Sequence, residues 1–77
     1  MPVDENRLRR AVCAGLRIND DSYRPDLQLG DLDEWDSLGH LELVAQIESE
    51  FGVSLTLDDI PSLTSLDAIR NRLDRLT

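Results

Sequence analysis

One serine, one imidazole and one thiol are the side chains here that could do chemistry, and their spacing decides what kind. The chain holds a single His, His40, and a single Cys, Cys13. A Ser/His/Asp or Cys/His arrangement would require His40 to serve Ser37. The two sit at i and i+3 on one helix, and no carboxylate is placed to orient the ring behind them. Cys13 falls beside the apolar stripe of the first helix, where a half-buried, inert thiol is expected. A lone cysteine offers neither an internal disulfide nor metal-ligand spacing. The acidic run Asp31-Leu32-Asp33-Glu34-Trp35-Asp36 fails as a calcium loop, because Trp35 stands where a ligand is needed and no Gly makes the sharp turn. No catalytic residue and no metal site is assigned, and the chain is not read as an enzyme.

Ser37 keeps one distinction, its place. It opens a helix at the end of a long loop, just after Asp36 and just before Leu38. Unpaired backbone N–H groups and the positive end of the helix dipole favour a phosphate ester there. A hydroxyl at such a place is also open to a modifying enzyme. Local chemistry alone first gives the plainer reading, a serine that merely starts a helix.

The elements that must hold Ser37 follow from apolar spacing. Asp4 can cap a first helix whose stripe is Leu8, Ala11, Val12, Gly15 and Leu16, with Arg7, Arg9 and Arg10 on its solvated side. The pattern then breaks from Asn19 to Trp35, a long loop that Leu27, Leu29, Leu32 and Trp35 should pin to the core. Asp36 or Ser37 opens the second helix and Gly52 closes it after Phe51. His40, Leu43, Val44, Ile47 and Phe51 form its core stripe.

Leu38, Leu41 and Ala45 form a second stripe on that helix, flanked by Glu42 and Glu48. A docking surface for partners would look like this, with loose packing of Leu41 at the core's edge as the alternative. His40 is expected at the mouth of the interior, one turn past Ser37. There it either contacts a tethered arm and its cargo or simply fills space. Thr56-Leu57-Asp58-Asp59 resembles a capping box that starts a short helix, cut off by Pro61 after Ile60. Thr64-Ser65-Leu66-Asp67 starts the last helix, with Leu66, Ile69, Leu73 and Leu76 buried. The expected fold is all-α: a small four-helix bundle of three main helices plus one short helix, with a long first loop. Residues 1–77 form a single domain.

Composition agrees. A length of 77 residues is near the lower limit for one hydrophobic core, and only 4% of residues are aromatic. Sixteen acids against eight bases give a net charge of −8. Nucleic acid and anionic membranes would repel that surface, whereas basic patches on proteins would attract it. No stretch reads as a membrane span or a signal peptide, so a cytoplasmic monomer is expected.

The run Leu32-Asp33-Glu34-Trp35-Asp36-Ser37-Leu38-Gly39-His40-Leu41-Glu42-Leu43-Val44 resembles the attachment segment of acyl carrier proteins, whose hallmark is Asp-Ser-Leu. Ile47-Glu48-Ser49-Glu50-Phe51-Gly52-Val53 is similar to the family's acidic helix end. Leu63-Thr64-Ser65-Leu66 resembles the start of its last helix. The likeness covers most of the chain from about Leu27 onward.

This resemblance implies that Ser37, supported by Asp36, carries 4′-phosphopantetheine, added from coenzyme A by a phosphopantetheinyl transferase. Acyl or aminoacyl groups would ride on the arm as thioesters. The implied partners are a loading ligase and downstream enzymes with basic docking patches. Gly39 and His40 stand where fatty-acid carriers commonly continue with an acid, and the Gly-Gly-x-Ser signature of many peptide-synthetase carriers is absent. The first departure points to a specialised pathway, with polyketide, fatty-acid-like and nonribosomal-peptide types all open. An unmodified acidic adaptor, binding a basic protein through the second helix, is the alternative.

Overall fold

Each long helix begins where the sequence supplies an acceptor for its first amides. The computed structural model describes residues 3–76. Asp4 caps α1 (Glu5–Leu16), its carboxylate accepting from the Asn6 and Arg7 amides. Asp36 caps α2 (Ser37–Phe51), with Oδ1 accepting from Gly39 N–H at 2.8 Å. Ser65, rather than Thr64, caps α3 (Leu66–Leu76), its Oγ accepting from Ala68 N–H at 3.1 Å. Gly52, at φ 65°, ends α2 in the left-handed conformation that glycine tolerates best. The fold is all-helical. Two 3-10 turns, Asp20–Ser22 and Ile60–Ser62, complete it, and among the described residues the only β-type pairing is the isolated bridge Gln28–Ser65.

The expected short helix differs in detail. Thr56 and Asp59 do form a reciprocal box, at 3.0 Å from Thr56 N–H to Asp59 Oδ2 and 3.2 Å from Asp59 N–H to Thr56 Oγ1. That box encloses a turn, and the 3-10 turn follows it with Pro61 inside. A first turn leaves its N–H groups without internal acceptors, so a proline costs nothing there.

The three helices bury one core of Leu8, Leu27, Trp35, Leu43, Ile47, Leu66, Ile69 and Leu73. All five α1 stripe residues are buried, and so are His40, Leu43, Val44 and Ile47 of α2, with Phe51 partly so. Leu76 is the exception on α3, lying 38% exposed beyond the packed turns. α1 and α2 approach closely at Gly15, where a Cβ would stand 2.7 Å from the Leu43 Cα. Any side chain there would push the two helices apart.

Arg7 is not on a merely solvated side. Its guanidinium pairs with Glu50 at 3.2 Å, donates to the Glu50 carbonyl, and lies 4.9 Å from the centre of the Phe51 ring. It thereby ties α1 to the negative end of the α2 dipole.

The long first loop is fastened at several points. Leu27 and Trp35 sit in the core and Leu32 packs against it. Leu29 instead points out, 41% exposed, and contributes its amide, which donates to the Thr64 carbonyl at 2.8 Å. Leu66 N–H donates to the Leu27 carbonyl at 3.0 Å, so the loop is tied to the start of α3 on both sides of the bridge. A loop this long stays ordered because its backbone groups find partners inside the fold.

Candidate functional site

The site is the junction of the long loop with α2. Ser37 is exposed as the first residue of α2, behind the Asp36 cap. His40 N–H donates to the Asp36 carbonyl at 2.8 Å and Gly39 N–H to its carboxylate. The Ser37 and Leu38 amides precede the first intrahelical bond, at the positive end of the helix dipole. An exposed hydroxyl beside such amides fits a phosphodiester-linked arm.

Gly39 sets the geometry of the junction. A Cβ on it would lie 2.0 Å from the Glu34 carbonyl oxygen. The loop backbone therefore rests directly on the first turn of α2, which only glycine permits. This fixes how Ser37 leaves the loop. The sequence sets Gly39 where fatty-acid carriers commonly have an acid but does not show the contact that requires it.

His40 corrects the expectation made for it. It is 6% exposed, and both ring nitrogens are taken inside the protein. Trp35 Nε1–H donates to Nδ1 at 3.1 Å, and the ring's Nε2 lies 2.7 Å from the Ile60 carbonyl. With Nδ1 accepting, Nε2 carries the proton and donates, which describes a neutral imidazole. The indole and imidazole lie nearly parallel, 6.3 Å between centres. The proposed hydrogen bond from His40 to the arm or cargo has no nitrogen left to make it.

The second stripe of α2 faces outward. Leu38 is 67% exposed and Leu41 55%, and Ala45 is exposed beside them. Leu41 is thus not packed at the core's edge. The flanking acids are less free than the stripe suggests. Glu48 Oε2 accepts from Leu55 N–H at 2.8 Å and holds the segment after α2, while Glu42 pairs with Arg17 at 3.5 Å. Among the described residues neither Asp33 nor Glu34, both exposed and just upstream of Ser37, pairs with a base. Sequence reasoning passed over these two as rim charges.

Cys13 is half-buried. Its thiol donates to Asp20 Oδ1 at 3.6 Å, and burial, reinforced by Asp20, pushes its pKa up. Among the described residues no group of three His, Cys, Asp or Glu side chains could hold a metal, and no helix is long and apolar enough to cross a membrane.

The fold is thus a small, acidic, all-helical one that offers an exposed serine at a helix start. The sequence model of the phosphopantetheine attachment site matches residues 6–73, and the chain belongs to that family. Its cofactor is covalent 4′-phosphopantetheine, and it is a non-catalytic carrier that works with a phosphopantetheinyl transferase and biosynthetic enzymes. The unmodified adaptor is thereby set aside. No curated protein matches the chain.

Proposed function

We propose that Ser37 is the attachment residue and that residues 1–77 work as one carrier domain in a specialised biosynthetic pathway. The observation that carries this is the exposed Ser37 hydroxyl at the first position of α2, behind the Asp36 cap. Ser37 Oγ gains the phosphoester bond as coenzyme A loses its nucleotide half and the hydroxyl loses its proton. The arm supplies a thiol that holds an acyl or aminoacyl group as a thioester. The chain's own residues do the rest. Asp36 fixes the helix start, Gly39 seats the loop, and Leu38, Leu41 and Ala45 offer partners an apolar strip. Asp33 and Glu34 add negative charge beside Ser37 that attracts basic docking patches and speeds encounter. Glu42 contributes at the rim of that strip, whereas Glu48 mainly secures Leu55. Cytoplasmic, monomeric work is in keeping with this role.

The test is intact mass after co-expression with a broad phosphopantetheinyl transferase. The wild-type chain should gain one arm and Ser37→Ala none. An arm on the Ser37→Ala chain would move the attachment elsewhere, and Ser22, Ser49, Ser54, Ser62 and Ser65 would become the candidates.

A further inference from the structure

The interior next to Ser37 is filled by two rings that hydrogen-bond to each other. Trp35, two residues before Ser37, is 1% exposed, and His40, three residues after it, is 6% exposed. The Trp35–His40 bond at 3.1 Å and the His40–Ile60 bond at 2.7 Å join the long loop, α2 and the 3-10 turn before α3. On the loop side, the Glu34 carbonyl rests on Gly39 and closes the same turn of α2. Leu27, Leu43, Leu63 and Leu66, buried to 3% exposure or less, lie in the core that these groups close off.

We infer that Trp35 and His40 exclude cargo from the interior, so that this carrier displays its thioester outside the fold. The inference rests on Ser37 as the attachment residue. An alkyl chain turning inward between the long loop and α2 would have to part the Trp35–His40 pair. It would also leave the buried Trp35 N–H without a partner and the Ile60 carbonyl with only the Leu63 amide, which is unfavourable. A long alkyl chain kept outside stays wet, which is also unfavourable. The cargo class suited to this carrier is therefore short or polar: small acyl groups, or aminoacyl groups whose charge prefers water. His40 and Trp35 set that preference without touching the thioester.

The experiment loads the full holo-protein with acetyl in one sample and octanoyl in another, and maps the arm to Ser37 by peptide mass. Cleavage of each thioester by hydroxylamine is timed against the corresponding acyl-pantetheine, and the methyl NMR signals of Leu27, Leu43 and Leu63 are compared. Displayed cargo gives protein and free-pantetheine rates within about twofold of each other for both acyl groups. It also leaves the core methyl signals in the same places. Octanoyl cleavage slowed by about tenfold, with shifted core methyls, overturns the inference, since only a sheltered fraction lowers the rate that far. A folded Trp35→Ala chain should acquire both the slowing and the shifts. If it acquires neither, Trp35 is not what keeps cargo out. An arm absent from Ser37 sinks the attachment assignment and this inference with it, whereas a Ser37-linked octanoyl group that enters the core sinks this inference alone.

Discussion

Trp35 and His40 flank Ser37 in the chain and meet beneath it through a 3.1 Å hydrogen bond, while the far nitrogen of the same imidazole reaches Ile60. The end of the long loop, α2 and the turn before α3 are thus held by one side chain. Replacing His40 with Phe keeps a ring of similar size and removes both bonds. The Trp35 N–H would then be buried without a partner, at about 1–3 kcal/mol, while the Ile60 carbonyl would keep only the Leu63 N–H at 3.3 Å. His40→Phe should therefore lose about 1–3 kcal/mol, read from urea denaturation followed by the fluorescence of Trp35, the only Trp in the chain. A loss below about 0.5 kcal/mol, the scale of ordinary surface changes, would mean that the bridge is not a structural tie.

Gly39→Ala separates two effects of opposite sign. Helix propensity alone favours Ala over Gly inside a helix by about 1 kcal/mol. The Glu34 carbonyl, 2.0 Å from the added Cβ, opposes it, and a backbone group cannot rotate aside. Overpacking of this kind costs about 1–3 kcal/mol, so the variant should be less stable than wild type. The displaced loop should also slow modification of Ser37. An unchanged or raised urea midpoint would show that the loop moves away freely.

Much of this was legible in the sequence because it depends on periodicity and end signals. The α1 stripe, the Asp4 cap, the Gly52 stop and the two faces of α2 all follow from spacing along one helix. What spacing cannot give is contact between distant segments. His40 lies on the core face as its position requires, yet Trp35 and Ile60, one before and one well after the helix, decide what its nitrogens do. Gly39 and His40 each have a physical reason in the fold: one admits the Glu34 carbonyl and the other bridges to Ile60. Glu48 shows the same limit, since its place beside an exposed stripe reads as a rim charge until the Leu55 amide is seen on it. Arg7 repeats it, being off the stripe and still bound to Glu50.

Docking and stability should separate on α2. Leu41 is 55% exposed, so Leu41→Ala should change stability by no more than about 0.5 kcal/mol. The same change should lower the transferase's kcat/KM by about fivefold or more if Leu41 anchors the contact. Asp33→Asn with Glu34→Gln should slow association and weaken its salt dependence, because unpaired rim charges act mainly on encounter. Glu48→Ala should behave differently, losing about 1 kcal/mol of stability as the Leu55 amide loses its acceptor. A cooperative loss of structure in Leu41→Ala would place that side chain in the core and remove the docking strip.

The turn before α3 should be sensitive to acid through Asp59. Its carboxyl is held below the ordinary 3.8, first by the Thr56 backbone amide and then, against the opposing effect of burial, by the Thr56 hydroxyl and Arg72. Arg72 Nε lies 3.2 Å from Asp59 Oδ1, and its Nη2 donates to Oδ2 at 3.2 Å. The folded state thus favours the charged form more than the unfolded chain does. The stabilisation is complete above the ordinary value and is lost as pH falls through the lower, folded one. Asp59→Asn should accordingly be less stable than wild type near neutral pH, and the gap should close in strong acid. Urea midpoints of both chains at about pH 7 and about pH 2 test this, because every other carboxylate is common to the two and cancels. A gap of equal size at both pH values would assign the loss to the altered box geometry rather than to the charge. Trp35 emission should follow the same curve, since the turn that Asp59 holds is the one that presents the Ile60 carbonyl to His40.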